Sequence, residues 1–145
     1  MTPPPTDPAL LPLAFQNALN AHAADQVLAL YTENATMRTV TGEVISGSAA
    51  LRKEVEQTIA AGPRITNTTR HVLVGDGTAL VIVDWNMQTT APDGNRVTAS
   101  GTTTNVARRS TDGTWRFTIL NPAGTEPVDE ADGAPFRSVA HRPPT

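Results

Sequence analysis

The stretch from Thr78 to Gln88 reads TALVIVDWNMQ, and it decides the fold because its apolar residues alternate. Ala79, Val81, Val83, Trp85 and Met87 fall on one side of an extended chain, whereas Asp84, Asn86 and Gln88 fall on the other. Thr, Val and Ile dominate from Ile65 onward, and the pairs Asp76-Gly77, Asp93-Gly94 and Asp112-Gly113 divide this half into four strand-like runs. Asp-Gly pairs supply the positive backbone angles of tight hairpins, so the runs predict four antiparallel strands joined in sequence order. In the third run Gly101, Thr103, Asn105 and Ala107 share a side, and in the fourth Trp115, Phe117, Ile119 and Asn121 do. The inward set is apolar with a few polar exceptions.

Upstream of Ile65 the period changes. Leu11, Phe15, Ala18 and Leu19 recur at helical spacing between Ala9 and Ala21, and the regular helix is expected to begin near Pro12. Asp25 is placed to cap a short second helix that carries Val27, Leu30 and Tyr31 along one side. Ser48 is placed to cap a third, with Leu51, Val55 and Ile59 four apart and Gly62-Pro63 as its stop. The segment YTENATMRTVTG, Tyr31 to Gly42, reads as the end of a helix feeding a strand. A sheet this long must cover one face, and three amphipathic helices are what the chain offers to cover it, which predicts an α+β class.

A chain of 145 residues suits a single domain with one hydrophobic core. Residues 1–8 (MTPPPTDP) and 125–145, rich in Pro, Gly and charge, lack the periodicity to bury a face. They are expected as flexible tails around a domain spanning 9–124. A net charge of −3, with 11 basic residues spread along the chain, builds no basic stripe, which argues against nucleic acid as a partner. No apolar run approaches the roughly 20 residues of a membrane span, and the N-terminal stretch has neither the basic nor the apolar part of a signal peptide. A cytoplasmic protein is expected. Without Cys there is no disulfide, thiol nucleophile or zinc-thiolate site. His22, His71 and His141 share no metal-ligand spacing, so neither metal nor cofactor is expected.

The order of helix, short helix, short strand, helix and four-strand meander resembles the nuclear transport factor 2-like superfamily, in its SnoaL-like and ketosteroid-isomerase-like branch, from about Phe15 to Gly124. The residues that carry the resemblance are ALNAHAADQVLALYTENATMRTVTGEVISGSAAL and, near the end, DGTWRFTILNPAG. It implies a cone-shaped, cystatin-like fold, in which a curved antiparallel sheet wraps around a long N-terminal helix and leaves an apolar pocket at the open end, commonly in a homodimer. Ketosteroid isomerases carry an Asp base at the end of the first short strand, and counting five residues from Asn34 puts Thr39 there. Their oxyanion hole joins a first-helix Tyr to a protonated Asp on the penultimate strand, and these positions fall on Phe15 and Asn105. A threonine hydroxyl is no base near neutral pH and Phe15 donates nothing, so steroid isomerisation by that mechanism is not expected. Asn105 can still donate through its amide.

By alternation Asn105 and Asn121 project into the interior, where an unpaired amide costs roughly 1–3 kcal/mol. Mutual or backbone hydrogen bonds, a buried water, or a ligand carbonyl would each answer that cost. Thr39 faces the same choice, with its own backbone as a further partner. The expected pocket therefore has Thr39, Thr103, Asn105 and Asn121 as polar positions and Phe15, Met37, Val55, Trp85, Met87 and Ile119 as wall. Tyr31 is expected to pack its ring under the sheet with the hydroxyl toward the pocket or solvent. Asp84 points outward by parity, toward Arg70 or Arg108. His71, on a strand of unsettled parity, is the outside candidate for a base.

The expectation for function is a pocket protein that binds a small, largely apolar, carbonyl-bearing molecule. Following the resemblance, it would be an isomerase or polyketide-cyclase-like enzyme of natural-product metabolism. With no internal acid–base pair in view, it would work by orienting a reactive substrate and hydrogen-bonding a developing enolate. The alternative is a non-catalytic ligand-binding or dimerisation module that kept the cone and lost the chemistry. An epoxide hydrolase of the same fold needs an Asp-Arg-Asp set that the inward positions do not assemble. A homodimer is expected through the outer sheet face, where Leu80, Ile82 and Val106 add apolar surface.

Overall fold

A computed structural model describes residues 2–126. Asp7 caps a turn of 3₁₀ helix over Pro8–Leu10 by accepting the Ala9 N–H at 2.9 Å, and the chain runs directly into α1 (Leu11–Asn20). Pro12 sits in the first turn, where its missing N–H breaks no helical bond. Leu11, Ala18 and Leu19 form the buried face, as their spacing predicts. Side-chain amides then fasten α1 to the sheet. The Asn20 amide exchanges two bonds with the backbone of Ile65 (2.9 and 2.7 Å), Gln16 accepts the Asn67 N–H at 2.8 Å, and the Asn67 side chain donates to the Pro12 carbonyl at 2.9 Å.

The other two helices are α2 (Ala24–Ala29) and α3 (Ser48–Ala60). Neither begins at the expected cap. Ala23 precedes α2, and Asp25 lies in its first turn, paired with Arg52 at 3.0 Å. Gly47, with φ of 90°, precedes α3, so Ser48 is already helical. Gly62, with φ of 64°, and the buried Pro63 follow the end of α3 as predicted.

The strands are β1 (Tyr31–Arg38), β2 (Val44–Ser46), β3 (Arg64–Gly75), β4 (Thr78–Thr90), β5 (Arg96–Arg109) and β6 (Trp115–Leu120). They form one curved, open sheet of six strands in the order β2-β1-β6-β5-β4-β3. The β3-to-β6 meander is antiparallel, as the hairpin pairs predict. At the first hairpin Asp76 and Gly77 both take positive φ (47° and 76°), the mirror-image turn that matches strand twist. The sheet as a whole is mixed, because β1 runs parallel to β6. Tyr31 opens β1 instead of closing α2. The Leu30 carbonyl already accepts the Phe117 N–H at 2.7 Å, which brings the chain into strand register one residue earlier than helical spacing suggests.

One irregularity redirects side chains near the site. In the β5–β6 pairing, Ala107 faces Phe117 and Val106 faces Ile119, so Thr118 is an extra residue and parity reverses along β6. Phe117 and Leu120 are buried, whereas Ile119 is 47% exposed.

The core lies between the concave sheet face and the helices, with Val81, Val83, Trp85, Ala107 and Phe117 from the sheet against Leu19, Val27, Leu51 and Val55. Asp84 is on the outer face, where Arg70 lies 3.5 Å away and Thr102 donates to it at 2.6 Å. Residues 2–8 are not a free tail. Pro4 and Pro8 are buried and the Pro5 carbonyl accepts the Trp115 N–H at 2.8 Å. At the other end Arg38 donates to the Gly124 carbonyl at 2.9 Å and fastens the turn after β6. At Gly124, with φ of 59°, a Cβ would collide with the Thr102 carbonyl oxygen. Residues 127–145, with Phe136, Val139 and His141 of the expected C-terminal tail, lie outside the described residues. No described helix is long and apolar enough to cross a membrane.

Candidate functional site

A cavity of about 160 Å³ lies between the helices and the concave face of the sheet. Phe15 and Leu19 of α1, Val27 of α2 and Val55 of α3 line one side, and Met37, Val83, Trp85, Met87, Phe117 and Leu120 line the sheet side. The wall is overwhelmingly apolar. Trp85 is held in place by its indole N–H, which donates to the Pro122 carbonyl at 2.8 Å.

Nine of the eleven residues expected at a pocket reach it: Phe15, Tyr31, Met37, Thr39, Val55, Trp85, Met87, Thr103 and Asn105. Ile119 and Asn121 do not. The extra residue in β6 turns Ile119 to the outer surface. The Asn121 side chain is held by Arg38 Nε (2.9 Å), the Thr104 hydroxyl (2.9 Å) and the Gly124 carbonyl (2.9 Å). It contributes to the site only through its backbone. His71 is exposed on β3 and does not line the cavity, which removes the geometric ground for it as a base in this pocket. Its side chain follows a register shift between Thr69 and His71 that spacing alone does not reveal.

Asn105 is buried, and its Oδ1 accepts twice, from the Thr103 hydroxyl at 2.6 Å and the Asn121 N–H at 2.8 Å. A backbone N–H only donates, so the oxygen of this amide must face Asn121, and Nδ2 points the other way. Nδ2 has no hydrogen-bond acceptor among the described residues, and Asn105 borders the cavity. Thr39 is differently disposed. Its hydroxyl bonds to Thr41 at 2.9 Å and accepts the Glu43 N–H at 3.2 Å, so it serves the β1–β2 turn at the cavity rim.

Sequence reasoning missed Glu54. It projects from α3 into the cavity wall, and among the described lining residues it is the single carboxylate, with no Lys, Arg or His beside it. The Thr58 hydroxyl shares its proton between Glu54 Oε2 and the Glu54 backbone carbonyl, each 3.1 Å away. Burial pushes the Glu54 carboxyl above its ordinary value, opposed in part by that hydroxyl. Tyr31 lines the same cavity, and burial holds its hydroxyl far above the ordinary tyrosine range, with the Glu54 charge adding to the effect. The signal was present: Leu51, Glu54, Val55 and Thr58 lie three and four apart, so Glu54 shares the inward stripe of α3. Among the described residues no group of three His, Asp or Glu is placed to hold a metal.

A family model of the SnoaL-like domain matches residues 13–129, and the chain belongs to that family. No curated protein matches it. Among solved structures, a ketosteroid isomerase-like protein from Erwinia carotovora atroseptica superposes with a TM-score of 0.72 at 16% identity, covering 82% of this chain and 94% of that one. A protein described as a candidate dehydratase of the nuclear transport factor 2-like family, from Streptomyces avermitilis, gives 0.67 at 21% identity, covering 78% and 90%. The epoxide hydrolase/cyclase-like enzyme SalBIII, of pyran ring formation in salinomycin, gives 0.59 at 23% identity, covering 78% and 86%. These likenesses establish the fold.

Proposed function

We propose that this protein binds a small, largely apolar, carbonyl-bearing molecule in the cavity and acts on it as an isomerase- or cyclase-like enzyme. The observation that carries the reading is the Asn105 amide, whose N–H₂ borders an apolar cavity while its oxygen is saturated by Thr103 and Asn121. A ligand carbonyl would supply an acceptor for that N–H₂, and the apolar residues supply the affinity. The SnoaL-like family and the isomerase- and cyclase-like structural relatives support the class of chemistry. Size narrows the ligand: about 160 Å³ is close to the ~150 Å³ cavity that holds benzene. A one-ring ketone matches that volume. We assign a homodimer through the outer sheet face as the working assembly.

Trp85 in the wall makes binding measurable. Titration with β,γ-cyclohexenone should quench its fluorescence, and the signal should vanish in Trp85→Phe. Asn105→Ala should weaken binding by roughly fivefold, the worth of about 1 kcal/mol for one hydrogen bond. Equal affinity in Asn105→Ala and the parent would remove Asn105 from the reading, and no binding by the parent would remove the reading itself.

A further inference from the structure

We propose that Arg38, which does not line the cavity, is a positioning residue for it: Arg38 clamps the turn over residues 121–126, and the backbone of that turn aims the Asn105 amide at the ligand. The inference rests on the binding reading above and names what orients its donor.

Strand alternation puts Arg38 behind the wall. Met37 and Thr39 line the cavity, and Arg38 between them does not. Its guanidinium is directed at one short segment instead. Nε donates to Asn121 Oδ1 at 2.9 Å, and one terminal nitrogen donates to the Gly124 carbonyl at 2.9 Å and lies 3.4 Å from the Glu126 carbonyl. The Asn121 side-chain nitrogen completes the clamp by donating to the Thr104 hydroxyl and the Gly124 carbonyl, each at 2.9 Å. An arginine is permanently charged and its fork is planar, so it holds two acceptors at a fixed spacing that a lysine does not reproduce.

The clamped segment is the one that supports the cavity wall. The Asn121 N–H donates to Asn105 Oδ1 at 2.8 Å, and the neighbouring carbonyl, that of Pro122, accepts the Trp85 indole N–H at 2.8 Å. Two cavity residues from two strands therefore bond to adjacent residues of one turn. β6 ends at Leu120, and beyond it the Asn121 carbonyl accepts the Thr104 N–H at 3.1 Å, so the side chains of Arg38 and Asn121 take over from the strand ladder. The Asn121 N–H is also the group that decides which end of the Asn105 amide faces the cavity. When the turn shifts, that N–H releases the amide oxygen, and the Asn105 N–H₂ loses its aim. Trp85 reports the same shift through its indole bond.

The test uses the full chain. In the ligand-free protein, hydrogen exchange of the Trp85 indole N–H should speed up at least about tenfold in Arg38→Ala, while the backbone amides of Val81 and Val83 keep their parent rates, the mark of local and not global opening. With β,γ-cyclohexenone, Arg38→Ala should weaken binding about threefold and move the infrared carbonyl band of the bound ketone back toward its position in an apolar solvent. The double change separates positioning from general loosening. Because Arg38 acts through Asn105, adding Arg38→Ala to Asn105→Ala should cost less than about 1.5-fold in further affinity, whereas a general loss of packing would add in full. Arg38→Lys, which keeps the charge without the fork, should fall between the parent and Arg38→Ala with the same non-additivity, and it covers the case in which the Ala variant fails to fold. Parent-like affinity and carbonyl band in Arg38→Ala, unchanged indole exchange, or full additivity would each overturn the positioning role while leaving the binding reading intact. Absence of binding by the parent would overturn both.

Discussion

Asn105 Oδ1 accepts the backbone N–H of Asn121 at 2.8 Å, and this contact between β5 and the end of β6 orients the polar group of an otherwise apolar cavity. Because the bond leaves only Nδ2 for a ligand, the isosteric change Asn105→Asp is informative. It keeps one oxygen for Thr103 and Asn121 and replaces the donor with a second oxygen. That carboxyl should titrate above an exposed one, since desolvation disfavours its charge. Ketone affinity in the variant should therefore be retained at low pH, where the acid donates, and fall as pH rises and the group ionises. Affinity independent of pH would contradict the orientation.

Glu54 makes stability depend on pH in a definite direction. Its folded-state titration lies above the ordinary value of 4.5, so between the two the folded protein holds a proton that the unfolded chain has released. The contribution to stability is complete below the ordinary value and is lost as pH rises through the folded one. Glu54→Gln should consequently melt higher than the parent at neutral pH, with the difference shrinking in acid. Calorimetry that finds the variant less stable at neutral pH would contradict the burial argument.

Tyr31 is the chain's one tyrosine, so its ionisation can be read without a competing signal. An exposed phenol titrates at about 10. Burial should suppress that step in the native protein, and tyrosinate absorbance should appear only together with alkaline unfolding. A reversible titration near 10 with native circular dichroism would place the hydroxyl in solvent and remove it as a pocket donor.

An apolar row crosses the outer face of four strands, where Leu73 pairs with Leu80, Leu80 with Val106, and Val106 with Ile119. Leu73 and Ile119 are 60% and 47% exposed. A second copy of the chain is the expected cover. Sedimentation at micromolar concentration should give a dimer, and the double change Leu80→Lys with Ile119→Lys should weaken it by roughly thirtyfold or more. A parent that sediments as a monomer would contradict the assignment.

The meander and its inward faces were legible because period-2 alternation is unbroken from Ala79 to Met87 and the Asp-Gly pairs mark the hairpins. Thr103 and Asn105 followed from the same alternation along β5. Ile119 and Asn121 did not, since one extra residue in β6 reverses parity, and nothing local in TWRFTILN announces it. Tyr31 was drawn into α2 because its spacing from Val27 is helical, although a long-range parallel pairing with β6 settles its conformation. Glu54 was legible and overlooked. Reading α3 only at Leu51, Val55 and Ile59 discards the adjacent three-residue step, where a cavity can admit one acid.

The most direct test of the account is the infrared carbonyl frequency of bound cyclohexenone, because it reports the bond between ligand and amide itself. In the parent the band should shift below its position in an apolar solvent, and in Asn105→Ala a good part of that shift should disappear. A bound carbonyl whose frequency matches the apolar solvent, or is the same in parent and variant, would contradict the claim that Asn105 holds the ligand.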